Sequence, residues 1–239
     1  MRQILAALQF LTVIRVPGHY HPAEGAGAFP LIGAALGTAA AGIFFAVSRI
    51  FGAAIAALLS LAFLLAITGG LHEDGLADVF DALHAGRSRE RMLAILKDSR
   101  IGAHGAVALL IGVLLRWQCI AASGTRAIAV LAGALAASRG VMIALAYVTA
   151  PAGEGLGKAF CAGIRPMPVV IAVLIATAFP FASGIAAGVV AMTANACTLL
   201  LMRRWFLHHL GGVTGDCLGA ACQISEIVTL LVLICPRFI

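Results

Sequence analysis

Three aspartates, Asp74, Asp78 and Asp81, stand at i, i+4 and i+7 in the run HEDGLADVFDALHAG. On a helix of 3.6 residues per turn they share one face, within about 60° of arc. Carboxylates so spaced repel one another and weaken a bare helix, so the pattern makes sense with a cation among them. Hard oxygen donors with no partnering Cys select Mg²⁺ or Mn²⁺ over zinc. Mg²⁺ typically takes one or two carboxylates, keeps waters and completes its shell with substrate phosphate, which points to phosphate or diphosphate chemistry. The alternative is a solvated acidic face neutralised by Arg87, Arg89 and Arg91. Because the stripe directly follows a hydrophobic span, where bare charge is expensive, the metal reading is preferred.

Two further clusters repeat the theme. In KDSRIG, residues 97–102, Lys97, Asp98, Ser99 and Arg100 gather just before an apolar run. Arg100 can grip phosphate oxygens as a bidentate fork and Lys97 as a point charge; both equally suit a membrane anchor. In HHLGGVTGDCLGAACQISE, Asp216 follows Thr214-Gly215 at a helix start, and Gln223 and Glu226 continue down roughly the same face. Glu226 lies inside an apolar span, so it either supports the metal or substrate, or is paired with Arg116 or Arg139. His72, His208 and His209 can act as a general base beside a phosphate, or are simply interfacial. The GEGLGK stretch, 153–158, offers backbone N–H groups and Lys158 to phosphate, but lacks the GxxxxGK[ST] pattern of a P-loop.

The elements that must position these groups are set by composition. Of 239 residues, 62% are hydrophobic and 11% charged, far from soluble averages. Within lipid every backbone polar group must be bonded internally. The Ala/Leu/Ile/Val runs lack the alternation of barrel strands, so the expected fold is an all-α polytopic membrane bundle, one domain over residues 1–239. Seven spans are expected: Phe29–Ser48, Phe51–Thr68, Ala103–Ala122, Ala127–Ala150, Met167–Ser183, Ile185–Met202 and Cys217–Ile234. Gly33/Gly37 and Gly184/Gly188 allow close helix approach, or reflect only how common Gly is here. From Ile4 to Ile14 the chain is too short to span; an interfacial helix ended by Pro17-Gly18 is expected. A short amphipathic helix is expected near 88–98, after a stop at Gly86, with Ser88 as its N-cap and Met92, Leu93, Ile95 and Leu96 against the bundle.

Alternating the loops puts the N-terminus and residues 69–102, 150–166 and 203–216 on one side, with 11 of the 16 Lys and Arg. The positive-inside rule makes that side cytoplasmic. Nine of the ten carboxylates and all seven His fall there too, His104 just at the membrane edge, more than orientation requires. This one-sidedness favours an enzyme over a transporter, which needs polar groups through the whole thickness. The net charge of +6 follows the spans and forms no basic stripe with aromatics, which excludes nucleic acid as a partner. The six Cys are scattered singly, with no disulfide or zinc spacing.

In GGLHEDGLADVFDA (69–82), KDSRIGAHG (97–105) and GGVTGDCLGA (211–220), with FLTVIRVP (10–17) and AFPLIGAALG (28–37), the chain resembles the cobalamin synthases, the adenosylcobinamide-GDP ribazoletransferases. Ala82 stands where that family's pattern often has glycine. The resemblance implies a Mg²⁺-dependent enzyme of the bacterial inner membrane, its acidic motifs cytoplasmic. It would join adenosylcobinamide-GDP to α-ribazole, or to its 5′-phosphate, and release GMP. Asp74, Asp78 and Asp81 would hold metal and diphosphate, with Asp216 and Asp98 as further ligands or a base. Lys97 and Arg100 would stabilise the leaving GMP, His72 would be a candidate base, and Glu73, Ser99, Thr214, Gln223, Glu226 and Lys158 would be weaker substrate contacts. Partners are those small molecules and the bilayer, with an oligomer possible. A CDP-alcohol phosphotransferase or a prenyltransferase is the alternative enzyme, although this chain has only Leu76 between Gly75 and Ala77. A non-catalytic transporter is the alternative of another class.

Overall fold

The computed structural model describes residues 1–85, 88–153 and 155–238; the Gly86 stop, Arg87 and Glu154 lie outside them. The described chain is helical: α1 (Arg2–Leu11), α2 (Phe29–Thr68), α3 (Leu71–Ala85), α4 (Arg89–Ile95), α5 (Ala103–Ser123), α6 (Ala127–Val148), α7 (Leu156–Gly163), α8 (Pro166–Ala178), α9 (Ile185–Leu210) and α10 (Gly215–Ile234). No extended strand is formed among the described residues, only one bridge between Pro151 and Val213.

Five helical stretches are long and apolar enough to cross a membrane, against the seven expected. The difference lies in two double-length stretches, Pro22–Thr68 and Ala103–Val148. Each has a glycine break where a loop was expected: Gly52, at φ 79°, inside α2 and Gly124, at φ 52°, after α5. Neither loop has more than a few residues, so the helices run nearly end to end.

Contacts sort the loops into two ends. At one end the Val13 N–H donates to the Ile67 carbonyl (2.8 Å), the Ala152 N–H to the Val213 carbonyl (2.8 Å) and Arg203 Nε to the Val148 carbonyl (3.0 Å). These are the segments assigned to the charged side. At the other end Trp117 Nε1 donates to the Ala54 carbonyl (2.8 Å) and Arg126 Nη1 to the Leu233 carbonyl (3.0 Å).

Helix α6 is the central post, buried almost throughout from Ala127 to Ala146. Gly33 and Gly37 of α2 rest on the α6 backbone at Leu135 and Leu131, with no room for a Cβ. That is the close approach small residues permit when lipid supplies no hydrophobic drive between helices. The interfacial helix ends earlier than expected, at Thr12, whose Oγ1 donates to the Leu8 carbonyl (2.6 Å). Ser88 caps α4 by accepting from the Arg91 N–H (3.3 Å), and Met92 and Leu96 are buried, as the pattern predicts. Helix α7 was not foreseen; its glycine-rich start reads as a loop.

Candidate functional site

Helix α3 carries the acidic stripe at the charged end, and its packing against α10 brings the stripe to the third motif. The two helices meet through glycines: a Cβ on Gly75 would lie 2.7 Å from the Asp216 carbonyl oxygen, and one on Gly219 3.4 Å from the Cα of both Gly75 and His72. Only backbone-to-backbone contact allows this approach. It sets Asp74 and Asp216 on the wall of one cavity of about 200 Å³, lined also by His72, Phe10, Phe160 and Met142. A second cavity of about 240 Å³ shares Gly157, Gly215 and Asp216 with the first and is lined by Lys97, Thr214 and Gly153. Asp216 therefore stands on the partition between two chambers.

Asp74 is exposed, while Asp78 and Asp216 are half-buried. Burial, and then the negative charges of Asp74, Asp216 and Asp81, hold the Asp78 carboxyl up to about 7. Thr214 is the N-cap of α10, its Oγ1 accepting from the Cys217 N–H (3.3 Å) and lying 3.2 Å from Asp216 Oδ2. Among the described residues no three or more His, Cys, Asp or Glu side chains already form a ligand cage. Two or three carboxylates beside open space nevertheless suit Mg²⁺, which keeps waters and takes phosphate oxygens. The donors are all hard oxygens, and their mutual repulsion is what a cation relieves.

Asp81 has another partner. Its Oδ2 accepts from the Gly102 N–H (2.7 Å) and its Oδ1 from the Gly105 N–H (2.8 Å), so a buried carboxylate caps the N-terminus of α5. A negative side chain at a helix N-terminus satisfies orphan donors and complements the dipole. Both oxygens are thus turned to α5 and away from the cavity.

Of the KDSR cluster, Lys97 alone lines a cavity beside Asp216. Asp98 and Arg100 pair with each other (2.6 Å), Arg100 being 86% exposed in its side chain. Hydrogen bonds from Arg100 pull Asp98, expected as a further ligand or a base, down to about 2. Ser99 and Lys158 are exposed.

Glu73, Gln223 and Glu226 are not turned to substrate either. Arg116 Nη1 reaches Glu73 Oε1 (2.5 Å) and its Nε reaches Glu226 Oε1 (2.9 Å); Arg139 Nη1 reaches Glu226 Oε2 (2.5 Å). Gln223 Nε2 donates to Glu73 Oε1 (2.8 Å). Two positive and two negative side chains from α3, α5, α6 and α10 thus close a buried, charge-balanced network directly beneath the acidic stripe. His72, one residue away and 1% exposed, has no hydrogen-bond partner at either ring nitrogen. Burial, with Arg139 and Arg116 close by, holds it well below the ordinary histidine value, so its ring is neutral. His208 and His209 meet edge to face in the last turn of α9. Sequence reasoning missed the cavity walls Phe10, Met142 and Phe160, whose residue types carry no chemical signal by themselves.

The Cobalamin-5-phosphate synthase family model matches residues 3–234. An adenosylcobinamide-GDP ribazoletransferase of Escherichia coli O17:K52:H18 (strain UMN026 / ExPEC) is 39% identical, over 96% of this chain and 98% of the relative. Proteins of the same description from Escherichia coli (strain K12) and Shigella boydii serotype 4 (strain Sb227) are each 38% identical over the same shares. No solved structure matches the chain.

Proposed function

Because the chain belongs to the cobalamin-5-phosphate synthase family and is a transferase of cobalamin biosynthesis, we propose that it joins adenosylcobinamide-GDP to α-ribazole or its 5′-phosphate. The reaction depends on Mg²⁺ and takes place at the cytoplasmic face of the inner membrane. The observation that carries this reading is the meeting of Asp74 and Asp216, from two helices distant in sequence, on one cavity wall beside a second chamber holding Lys97. A 3′-hydroxyl of ribazole forms the new bond to the phosphorus attached to cobinamide, and the bond from that phosphorus to GMP breaks.

Asp74, Asp78 and Asp216 would hold the metal. When bound, Mg²⁺ draws charge from the phosphate oxygens and orients the diphosphate. Lys97 neutralises the negative charge that grows on the departing GMP, in the chamber it lines. Neutral His72, lacking a protein partner, receives the hydrogen bond of the attacking hydroxyl. The carbon walls of the first cavity exclude water, which would otherwise compete as nucleophile. The cytoplasmic assignment rests on the 11 Lys and Arg that the sequence pattern allots to the side of these motifs.

The test is GMP release by the purified protein in detergent with both substrates, with Mg²⁺ and with EDTA. Release that needs Mg²⁺ and both substrates is expected. A folded, monodisperse protein that releases none in either condition overturns the reading.

A further inference from the structure

We infer that the cavity of about 200 Å³ between α1, α3, α6, α7 and α10 is the pocket for the aromatic base of the acceptor nucleoside, and that the diphosphate donor occupies the other chamber. This rests on the transferase reading above. The cavity has room for a fused two-ring base and none for a corrin macrocycle with its side arms. Its far wall is carbon: Phe10 and Phe160 stack nearly parallel at 5.5 Å between ring centroids (interplanar 5°), Phe160 stacks on Phe29 at 5.7 Å, and Met142 closes the side. Flat aromatic rings and a thioether are surfaces on which a planar base packs.

The opposite wall supplies the polar complement. Both His72 ring nitrogens are buried and without a protein partner. A buried polar group left unpaired is costly and calls for a ligand or water. The two ring nitrogens offer hydrogen-bonding positions that a ring nitrogen of the base and a ribose hydroxyl can fill. Asp74 and Asp216 line the same cavity, so a base seated on the phenylalanines leaves its ribose at the carboxylates. With Gly157, Gly215 and Asp216 shared by both cavities, nucleophile and leaving group approach the phosphorus from two sides, an arrangement compatible with in-line displacement.

Met142→Trp would fill the cavity, and GMP release would be followed with each substrate varied in turn. The KM for α-ribazole should rise at least tenfold while the KM for adenosylcobinamide-GDP stays within twofold. Equal changes in both, or a change confined to the donor, would overturn the assignment. As a measurement on the unaltered protein, α-ribazole is titrated calorimetrically with and without saturating GMP. Binding of α-ribazole that survives GMP is expected; competition one for one would place base and guanosine in one chamber and end the proposal. Failure of the transferase reading looks different, since the unaltered protein would then release no GMP at all.

Discussion

Asp78 and Asp81 are one turn apart on the same helix, yet their amide variants should move stability in opposite directions. Asp78 is held from an ordinary 3.8 up to about 7 by burial and by three neighbouring carboxylates. Its folded form therefore binds the proton more tightly than the unfolded chain does. Between about pH 4 and pH 7 the folded state keeps the proton and the unfolded state loses it, so metal-free stability falls as pH rises through that window. At face value, 1.36 kcal/mol for each of about three pH units gives roughly 4 kcal/mol; screening at a half-exposed carboxylate reduces this to roughly 1–2 kcal/mol. In EDTA at pH 8, Asp78→Asn removes that repulsion and should raise the melting temperature by about 2–8 °C, at roughly 2–4 °C per kcal/mol. With Mg²⁺, the same variant should lose at least a hundredfold in GMP release. Asp81→Asn instead breaks the cap on Gly102 and Gly105 and should cost roughly 0.5–2 kcal/mol at every pH above 5. Detergent-phase thermal melts from pH 5 to 8, with and without Mg²⁺, measure both. A metal-free protein that grows more stable from pH 5 to pH 8, or an Asp78→Asn variant that melts lower at pH 8, would refute the reasoning.

The remaining predictions concern the neighbours of that stripe. Lys97→Ala should lower the rate of GMP release about a hundredfold, whereas Arg100→Ala, whose partner is the surface carboxylate Asp98, should stay within threefold; steady-state kinetics on both decide it. Gly75→Ala forces a Cβ against the Asp216 backbone and should cut activity more than tenfold, with any rescue by raised Mg²⁺ incomplete. Arg139→Leu leaves Glu226 with one partner in place of two and should cost roughly 3–5 kcal/mol, since removing half of a buried pair strands a charge; a melt lowered by several degrees is the readout.

Much of this was legible because charge is expensive near lipid. The i, i+4, i+7 aspartates and the Ser88 cap are local signals: Ser88 caps α4 as read, and Asp74 and Asp78 stay at the α3–α10 contact while Asp81 turns to α5. Asp81 was not legible as a cap, because its partners are backbone N–H groups of a helix that begins 22 residues later, and backbone donors leave no trace in side-chain identity. Glu73, next to Asp74, and Gln223, two turns along the face of Asp216, read as site residues, but Glu73 accepts from Arg116 and Gln223 donates to Glu73. The base pocket was invisible for a related reason: Phe10, Met142 and Phe160 are ordinary core residues until three helices converge on them. The count of seven spans turns on Gly52 and Gly124, where positive-φ glycines break the two long helical stretches close to the expected loops.

The buried quartet of charges has a consequence for how the chain enters the bilayer. Synthesis proceeds from the N-terminus, so Arg116 and Arg139 are handed to the membrane while Glu226 is still unmade. Glu73 alone can meet them in that interval, leaving one guanidinium without its counter-ion until the last helix arrives. The final segment thus acts as the keystone of insertion: a ribosome halted before α10 leaves an unbalanced positive charge in hydrocarbon, a defect that quality-control proteases are equipped to find.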